Sequence, residues 1–447
     1  MNATKSTLVY RIIFTVLLFA VALYCSCSKS RTGLRYEYSE DSGAGFPYPE
    51  TYFAVISDIH IYDPSLGSSG AAFLETLNSD RKLLLDSMDL TDYAIEAIKA
   101  SGAGFVLVTG DLTKDGELNN HRLIAGKLKR FVDAGMAVYV IPGNHDINNP
   151  GAVRYEGDET VPVPSISAAE FAQIYGDFGY NSALMRDDDS LSYVAEPEEG
   201  LWLLALDSCR YRENKSGEEE IVSGKISQKT ADWTAGVLQT ATERKKAVIA
   251  MMHHGIVEHW NGQHKLHPDY LIDDYEDFGK FLSSHNVRFA FTGHYHALDI
   301  VLGQFGDKFI YDIETGSLVT APCPIRYVEF KGNSLQVRTD TIVDKIHPGT
   351  NFAADGRAFV KKTVMLEAEK ILRGYRVSAR DAEYIANAVG DAFDAHYAGD
   401  ENPALRPSFD RGRLGLWGRF VYGQQKYALD GLWEDLRPAD NNVSLNF

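Results

Sequence analysis

TYFAVISDIH, residues Thr51 to His60, joins two signals in one short stretch. TYFAVIS (Thr51–Ser57) is apolar without alternation and rich in β-branched and aromatic residues, as in a strand buried on both faces. Asp58-Ile59-His60 then turns polar. In extended chain, residues i and i+2 project to one side, so this carboxylate and imidazole can reach one ion.

The pairing recurs along the chain. FVLVT (Phe105–Thr109) is followed by Gly110-Asp111, AVYVI (Ala137–Ile141) by Pro142-Gly143-Asn144-His145-Asp146, AVIAMM (Ala247–Met252) by His253-His254, and RFAFT (Arg288–Thr292) by Gly293-His294-Tyr295-His296. LWLLAL (Leu201–Leu206) ends in Asp207, which reads as structural. Helical patterns over Leu83–Lys99 and His121–Ala134 lie between the runs, so the expected fold is α/β. Open α/β sheets place their sites at the carboxyl ends of strands, where these polar residues gather.

Each block has an ordinary reading when taken singly. Asp58-Ile59-His60 suits a surface loop, Asp111 a helix N-cap, and Asn144 a turn with a satisfied amide. His253 and His254 suit one core and one exposed imidazole, and His121 suits packing within a helix.

In this order, however, D-x-H, GD, GNHD, a strand-end histidine and GHxH make the chain resemble the calcineurin-like metallophosphoesterases over Thr51 to Asp344. SDRKLL (Ser79–Leu84), GDLTKDGE (Gly110–Glu117), PGNHDINNP (Pro142–Pro150) and DFGY (Asp177–Tyr180) are similar to secreted bacterial class III cyclic-nucleotide phosphodiesterase-like proteins. The resemblance implies a four-layer αββα sandwich with a C-terminal helical accessory domain. It implies that Asp58, His60 and His296 hold one metal, that Asn144, His253 and His294 hold a second, and that Asp111 bridges them. His254 is then a neighbour of the ligands. Carboxylate, amide and imidazole donors suit two divalent transition ions, Mn, Fe or Zn. A hydroxide held between the ions would attack phosphorus. His145, oriented by Asp115, would stabilise the phosphoryl oxygens or protonate the leaving alkoxide. Lys114 stands where purple acid phosphatases carry an iron(III)-binding tyrosine, which argues against a purple site. Gly255 replaces the usual proline after the strand-end histidine.

The expected activity is hydrolysis of a small phosphodiester of cyclic-nucleotide kind. The alternatives are a nucleotidase or phosphomonoesterase, and a non-catalytic envelope binding protein. Asn148, Asn149, the loop Asp63–Gly70 and Arg81 are candidates to line the pocket, although Ser79 or Asp80 as a helix N-cap is the simpler reading there. HWNGQHKLH (His259–His267) reads as a solvated loop.

Composition sets the remaining bounds. A chain of 447 residues with 45% hydrophobic and 11% aromatic residues can bury a large core. A net charge of −18 argues against a polymeric nucleic-acid partner and leaves a small phosphorylated substrate, towards which bound metal reverses the local field. Lys5, Arg11 and the apolar Ile12–Tyr24 form a signal sequence too short to span a bilayer. Ser26-Cys27 resembles a lipoprotein cleavage site, with Tyr24 departing from the usual leucine and ordinary secretion as the alternative. Residues 1–27 are thus expected to be a signal peptide, with lipid on Cys27 as the only membrane attachment. Residues 28–50 are read as a linker, 51–345 as the catalytic domain and 346–447 as the helical domain. Cys209 and Cys323 read as two buried thiols. The oligomeric state stays open.

Overall fold

Each of the six apolar runs named between Thr51 and Thr292 forms a strand, in a computed structural model that describes residues 33–39, 45–399 and 401–447. The signal segment, Cys27 and part of the linker lie outside the described residues. Residues 36–447 make one compact unit; of the unit formed by residues 1–35, the described residues 33–35 are neither helix nor strand.

In chain order the strands are β1 (Thr51–Ile56), β2 (Phe105–Val108), β3 (Ala137–Val140), the hairpin β4 (Val153–Glu156) and β5 (Glu159–Pro162), β6 (Met185–Arg186), β7 (Tyr193–Glu198) and β8 (Leu201–Leu206). There follow β9 (Ala247–Met252), β10 (Phe289–Thr292), β11 (Asp299–Phe305), β12 (Lys308–Glu314), β13 (Pro324–Lys331), β14 (Ser334–Thr341) and β15 (Asn442–Asn446). One sheet runs β15-β14-β13-β1-β2-β3 and the other β11-β12-β10-β9-β8-β7-β6.

Side-chain alternation explains why the runs are almost wholly apolar. In β8, Leu201, Leu203 and Ala205 enter the core between the sheets, while Trp202, Leu204 and Leu206 enter a second core beneath helices. In β9, Ile249 and Met251 face the first core, and Val248 and Ala250 the second. Both faces are therefore buried, and each large apolar side chain contributes about 1.5–3 kcal/mol. Phe53 of β1 meets Phe291 of β10 edge-on at 5.4 Å, which fixes the two sheets face to face.

Helices complete four layers. Beyond α1 (Ala71–Ser79), α2 (Ser87–Ser101) and α3 (Leu118–Asp133) bury Ile95, Ile124 and Leu128 in one contiguous apolar cluster with the first sheet. After the short α4 (Ala168–Ile174), α5 (Gln228–Glu243) and α6 (Tyr275–Ser284) cover the second core with Val237, Leu238 and Phe281. The helical patterns read at Leu83–Lys99 and His121–Ala134 correspond to α2 and α3.

The chain beyond Ile346 is helical over α7 (Phe352–Gly374), α8 (Ala379–Ala398) and α9 (Leu416–Gly431). Its end departs from the expected separate domain. β15 returns to the first sheet and pairs antiparallel with β14, Leu445 opposite Leu335, so this region is stitched into the sandwich. Leu445 supplies the buried side chain that makes this pairing favourable. The expectation for the thiols holds for Cys323, which is buried; Cys209 is half-buried, its Sγ–H donating to the Pro142 carbonyl at 3.3 Å. Among the described residues no helix is long and apolar enough to cross a membrane.

Candidate metal centre

The polar blocks follow β1, β2, β3, β9 and β10, and short main-chain bonds draw these strand ends together. Asp58 N–H donates to Gly110 O at 3.1 Å, His60 N–H to Asp111 O at 2.9 Å, and Gly293 N–H to His253 O at 3.0 Å. Asp58, His60, Asp111, His294 and His296 all lie at positive φ, between 39° and 75°. Non-glycine residues rarely adopt this region, and such strain concentrates at functional sites.

Two glycines are dictated by contact rather than by φ. A Cβ on Gly143 would fall 2.0 Å from Asp111 Oδ1, and one on Gly293 would fall 2.6 Å from Asp58 Oδ2. Gly143→Ala is therefore expected to displace the carboxylate and cost about 1–3 kcal/mol of stability. Denaturant unfolding together with metal analysis checks this; an unchanged midpoint and metal content would contradict it.

The side chains form two groups that share one carboxylate. In the first, Asp58 Oδ1 lies 3.3 Å from His296 Nε2 and 3.9 Å from His60 Nε2. In the second, His253 Nε2 lies 3.2 Å from Asn144 Oδ1, and His294 joins Asp111 and His253 with ligand atoms within 4.8 Å of one another. Asp111 Oδ2 reaches both groups, 3.5 Å from His60 Nε2 and 3.4 Å from His253 Nε2.

Proton placement shows what these groups lack. His60 Nδ1–H donates to the Thr113 carbonyl at 3.2 Å, so its Nε2 carries a lone pair. Thr320 Oγ1–H donates to Arg81 O, so Thr320 accepts from His296 Nδ1–H at 2.9 Å, and His296 Nε2 also carries a lone pair. These two Nε2 atoms face each other at 3.3 Å. Burial above all holds His60 well below the ordinary imidazole range and also lowers His296, which keeps both rings neutral. Buried Asp58 Oδ1 has no hydrogen-bond partner among the described residues. Converging lone pairs without a proton between them repel unless a cation takes that place, so the residues fit a metal pair. At His253, burial lowers proton affinity but the Asp111 carboxylate outweighs it, to about 9, so metal and proton compete for Nε2.

His145 stands beside the ligands. Its N–H donates to Asp111 Oδ1 at 3.0 Å, and its Nδ1 lies 2.9 Å from Asp115 Oδ1. Nε2 lies 4.0 Å from Asp111 Oδ2. Burial and Lys82 lower its proton affinity, but Asp111, Asp115 and Glu220 prevail and raise it to about 9. His254 turns away: it accepts from Ser208 Oγ–H at 2.7 Å and donates to Val222 O at 2.8 Å.

The motifs assign no role to several other neighbours. Lys82, 6% exposed, pairs with Asp80 at 3.4 Å, and its charge is felt at His60, His145 and His296. Glu220 comes within 3.7 Å of His145 Nδ1 from a polar loop. Asp146 Oδ2 accepts from Leu112 and Gly143 N–H at 3.1 and 2.8 Å, stapling the Asp111 turn to the Asn144 turn. Gly255 N–H donates to Tyr270 O at 3.1 Å, a bond that proline could not make, and the Tyr270 ring lies 4.8 Å from that of His294.

Three expectations need correction. Asp80 is the C-cap of α1, not an N-cap, and Arg81 reaches Tyr397 OH at 3.0 Å. Asn149 serves its own turn rather than a pocket, donating to His145 O at 3.0 Å and accepting from Gly151 N–H at 2.7 Å. In the segment His259–His267, His259 and Trp260 are buried because later parts of the chain close over them.

The sequence model of the family described as calcineurin-like phosphoesterase matches residues 51–298, more than half of the chain. The chain belongs to that family. No curated protein sequence matches this phosphoesterase. Among solved structures it is similar to a dimetal phosphatase from Danio rerio, at 17% identity over 66% of this chain and 97% of that one, TM-score 0.47. A purple acid phosphatase from yellow lupin (Lupinus luteus) seeds matches at 11% identity over 66% and 53%, TM-score 0.43. A 5′-nucleotidase precursor from Thermus thermophilus matches at 12% identity over 71% and 59%, TM-score 0.37. The family assignment stands on the sequence match.

Proposed function

We propose that this phosphoesterase hydrolyses a small phosphodiester of cyclic-nucleotide kind, as in the class III phosphodiesterase-like proteins that its motifs resemble. The observation that carries the reading is the unprotonated face-to-face pair His60 and His296 beside a carboxylate shared with His253. Asp58, His60 and His296 would hold one divalent ion, Asn144, His253 and His294 the other, and Asp111 both. Ions of the Mn, Fe or Zn class bound there would supply positive charge to the attacking and leaving oxygens of a displacement at phosphorus.

The chain's own groups do the rest. Asp115 fixes His145 through Nδ1, leaving Nε2 towards the centre. Asp115 favours the protonated ring, and His145 in that form can give its proton to a leaving alkoxide. Asp80, Asp115 and Glu220 line the same side. Asp80 is paired with Lys82 and Asp115 with Lys114, so Glu220 is the carboxylate that disfavours a dianion, which supports a singly charged diester. Buried Lys82 favours the opposite and is the ground for the alternative, a phosphomonoesterase or nucleotidase.

With Mn²⁺ added, kcat/KM for bis-(p-nitrophenyl) phosphate is expected to exceed that for p-nitrophenyl phosphate by at least about tenfold, and chelator should abolish both. The inverse ratio would establish the monoester reading. No turnover with Mn²⁺, Fe²⁺ or Zn²⁺ would sink both and favour a binding protein. Lys82→Met should raise KM roughly tenfold with little change in kcat, as for loss of one charge-assisted contact. A change in kcat alone would remove Lys82 from substrate binding. We also propose export with lipid on Cys27; Cys27→Ala should then release the protein from membranes, and unaltered partitioning would contradict this.

A further inference from the structure

A second histidine–carboxylate cluster lies under the segment that reads as a solvated loop. His259 is 2% exposed, and around it Asp299, Asp312 and Glu314 are 3%, 0% and 1% exposed. Its ring meets carboxylates on both sides. Nε2 lies 3.5 Å from Asp312 Oδ2 and 3.6 Å from Glu314 Oε2, while Nδ1 lies 3.5 Å from Asp299 Oδ1. Neither ring nitrogen has a hydrogen-bond partner among the described residues.

Spacing separates an ion pair from a ligand set. Where an imidazole N–H meets a carboxylate directly in this protein, the distances are 2.9 Å at His145–Asp115 and 2.6 Å at His264–Glu258. Around His259 they are about 0.6 Å or more longer and match the 3.3–3.5 Å separations among ligand atoms at the catalytic centre. Two atoms each about 2.1 Å from a shared ion at the tetrahedral angle stand about 3.4 Å apart.

Charge points the same way. A protonated His259 offsets one of the three buried carboxylates and leaves two in excess, and burying uncompensated charge is costly. Arg326 adds one positive charge nearby, donating to the main-chain oxygens of Glu314 at 3.0 Å and Asp299 at 3.4 Å. Asp299 also sits 4.0 Å from His396 Nδ1, which is bonded to Glu401.

We propose a third cation site, separate from the catalytic pair, in which His259 Nε2, Asp312 and Glu314 hold one divalent ion of the Zn or Mn class. Asp299 Oδ1, 3.5 Å from Nδ1, would close on the Nδ1–H and fix the ring once the ion is bound, as carboxylates commonly do behind metal-bound histidines. The role is structural. Glu314 pairs in register with Thr292, next to the His294 turn, and Asp312 Oδ1 accepts from Thr292 Oγ1–H at 2.6 Å. The ion would tie β12 and the loop after β9 to the strand that presents His294 and His296.

Metal analysis of the full chain after Zn²⁺ or Mn²⁺ loading and gel filtration tests this. The expected stoichiometry is three ions per chain in the wild type, two in His259→Gln or Glu314→Gln, and one in Asp111→Asn. Two ions in the wild type with none in Asp111→Asn would overturn the third site and leave the catalytic reading intact. A single wild-type ion lost in His259→Gln would sustain the third site while sinking the catalytic pair; one lost only in Asp111→Asn would overturn the third site. Should the variants at His259 and Glu314 fail to fold, the wild-type count and Asp111→Asn decide: three with one retained sustains the site, two with none overturns it.

Discussion

His145→Ala is expected to keep two catalytic ions per chain while turnover falls by roughly 10²–10⁴. The main-chain N–H of residue 145, not its side chain, holds Asp111 Oδ1, so the variant preserves the bridging carboxylate's position. What it removes is the proton carried on Nε2 and anchored from behind by Asp115. The loss should therefore be mainly in kcat, and largest for substrates with poor leaving groups. A p-nitrophenolate leaving group needs little protonation, so bis-(p-nitrophenyl) phosphate should suffer least. Single-substrate kinetics with metal analysis checks this. Loss of the ions along with activity would place His145 among the ligands instead.

Asp111→Asn is expected to be more severe, reducing both ions to well under one per chain and kcat/KM by more than about 10³. The orientation of the new amide is predetermined. Oδ1 accepts the His145 N–H, so an oxygen must remain there and the NH₂ lands at the Oδ2 position. That position faces His60 Nε2 at 3.5 Å and His253 Nε2 at 3.4 Å, where an amide can donate a proton to either imidazole in place of a cation. Two ions retained in the variant would show that Asp111 does not bridge.

Much of this centre is legible in the sequence because its parts are local. A strand buried on both faces must be apolar throughout, so an abrupt Asp58, Asp111, Asn144 or His253 at its end stands out. The α/β class follows from the same runs. β11 to β14 escape that reading because polar residues at exposed positions, such as Gln304 and Glu329, break the apolar pattern. β15 is five residues of NVSLN whose only buried side chain is Leu445, and nothing local distinguishes it from a tail. Lys82 lies within SDRKLL, a stretch with no ligand signal of its own, and Glu220 in a polar loop without periodicity; only the tertiary fold brings them to His145. His259 is the least legible of all. Its flanks, Asn261, Gly262 and Gln263, are those of a turn, and its burial depends on β11, β12 and the end of α8, remote in sequence.

Anomalous diffraction from crystals of the intact chain grown with Mn²⁺ bears most directly on whether one carboxylate joins two cations. Two strong peaks about 3.5–4 Å apart are expected, one in bonding reach of Asp58, His60 and His296, the other of Asn144, His253 and His294, and both of Asp111. A single peak there, or a pair of peaks that leaves Asp111 uncoordinated, would contradict it.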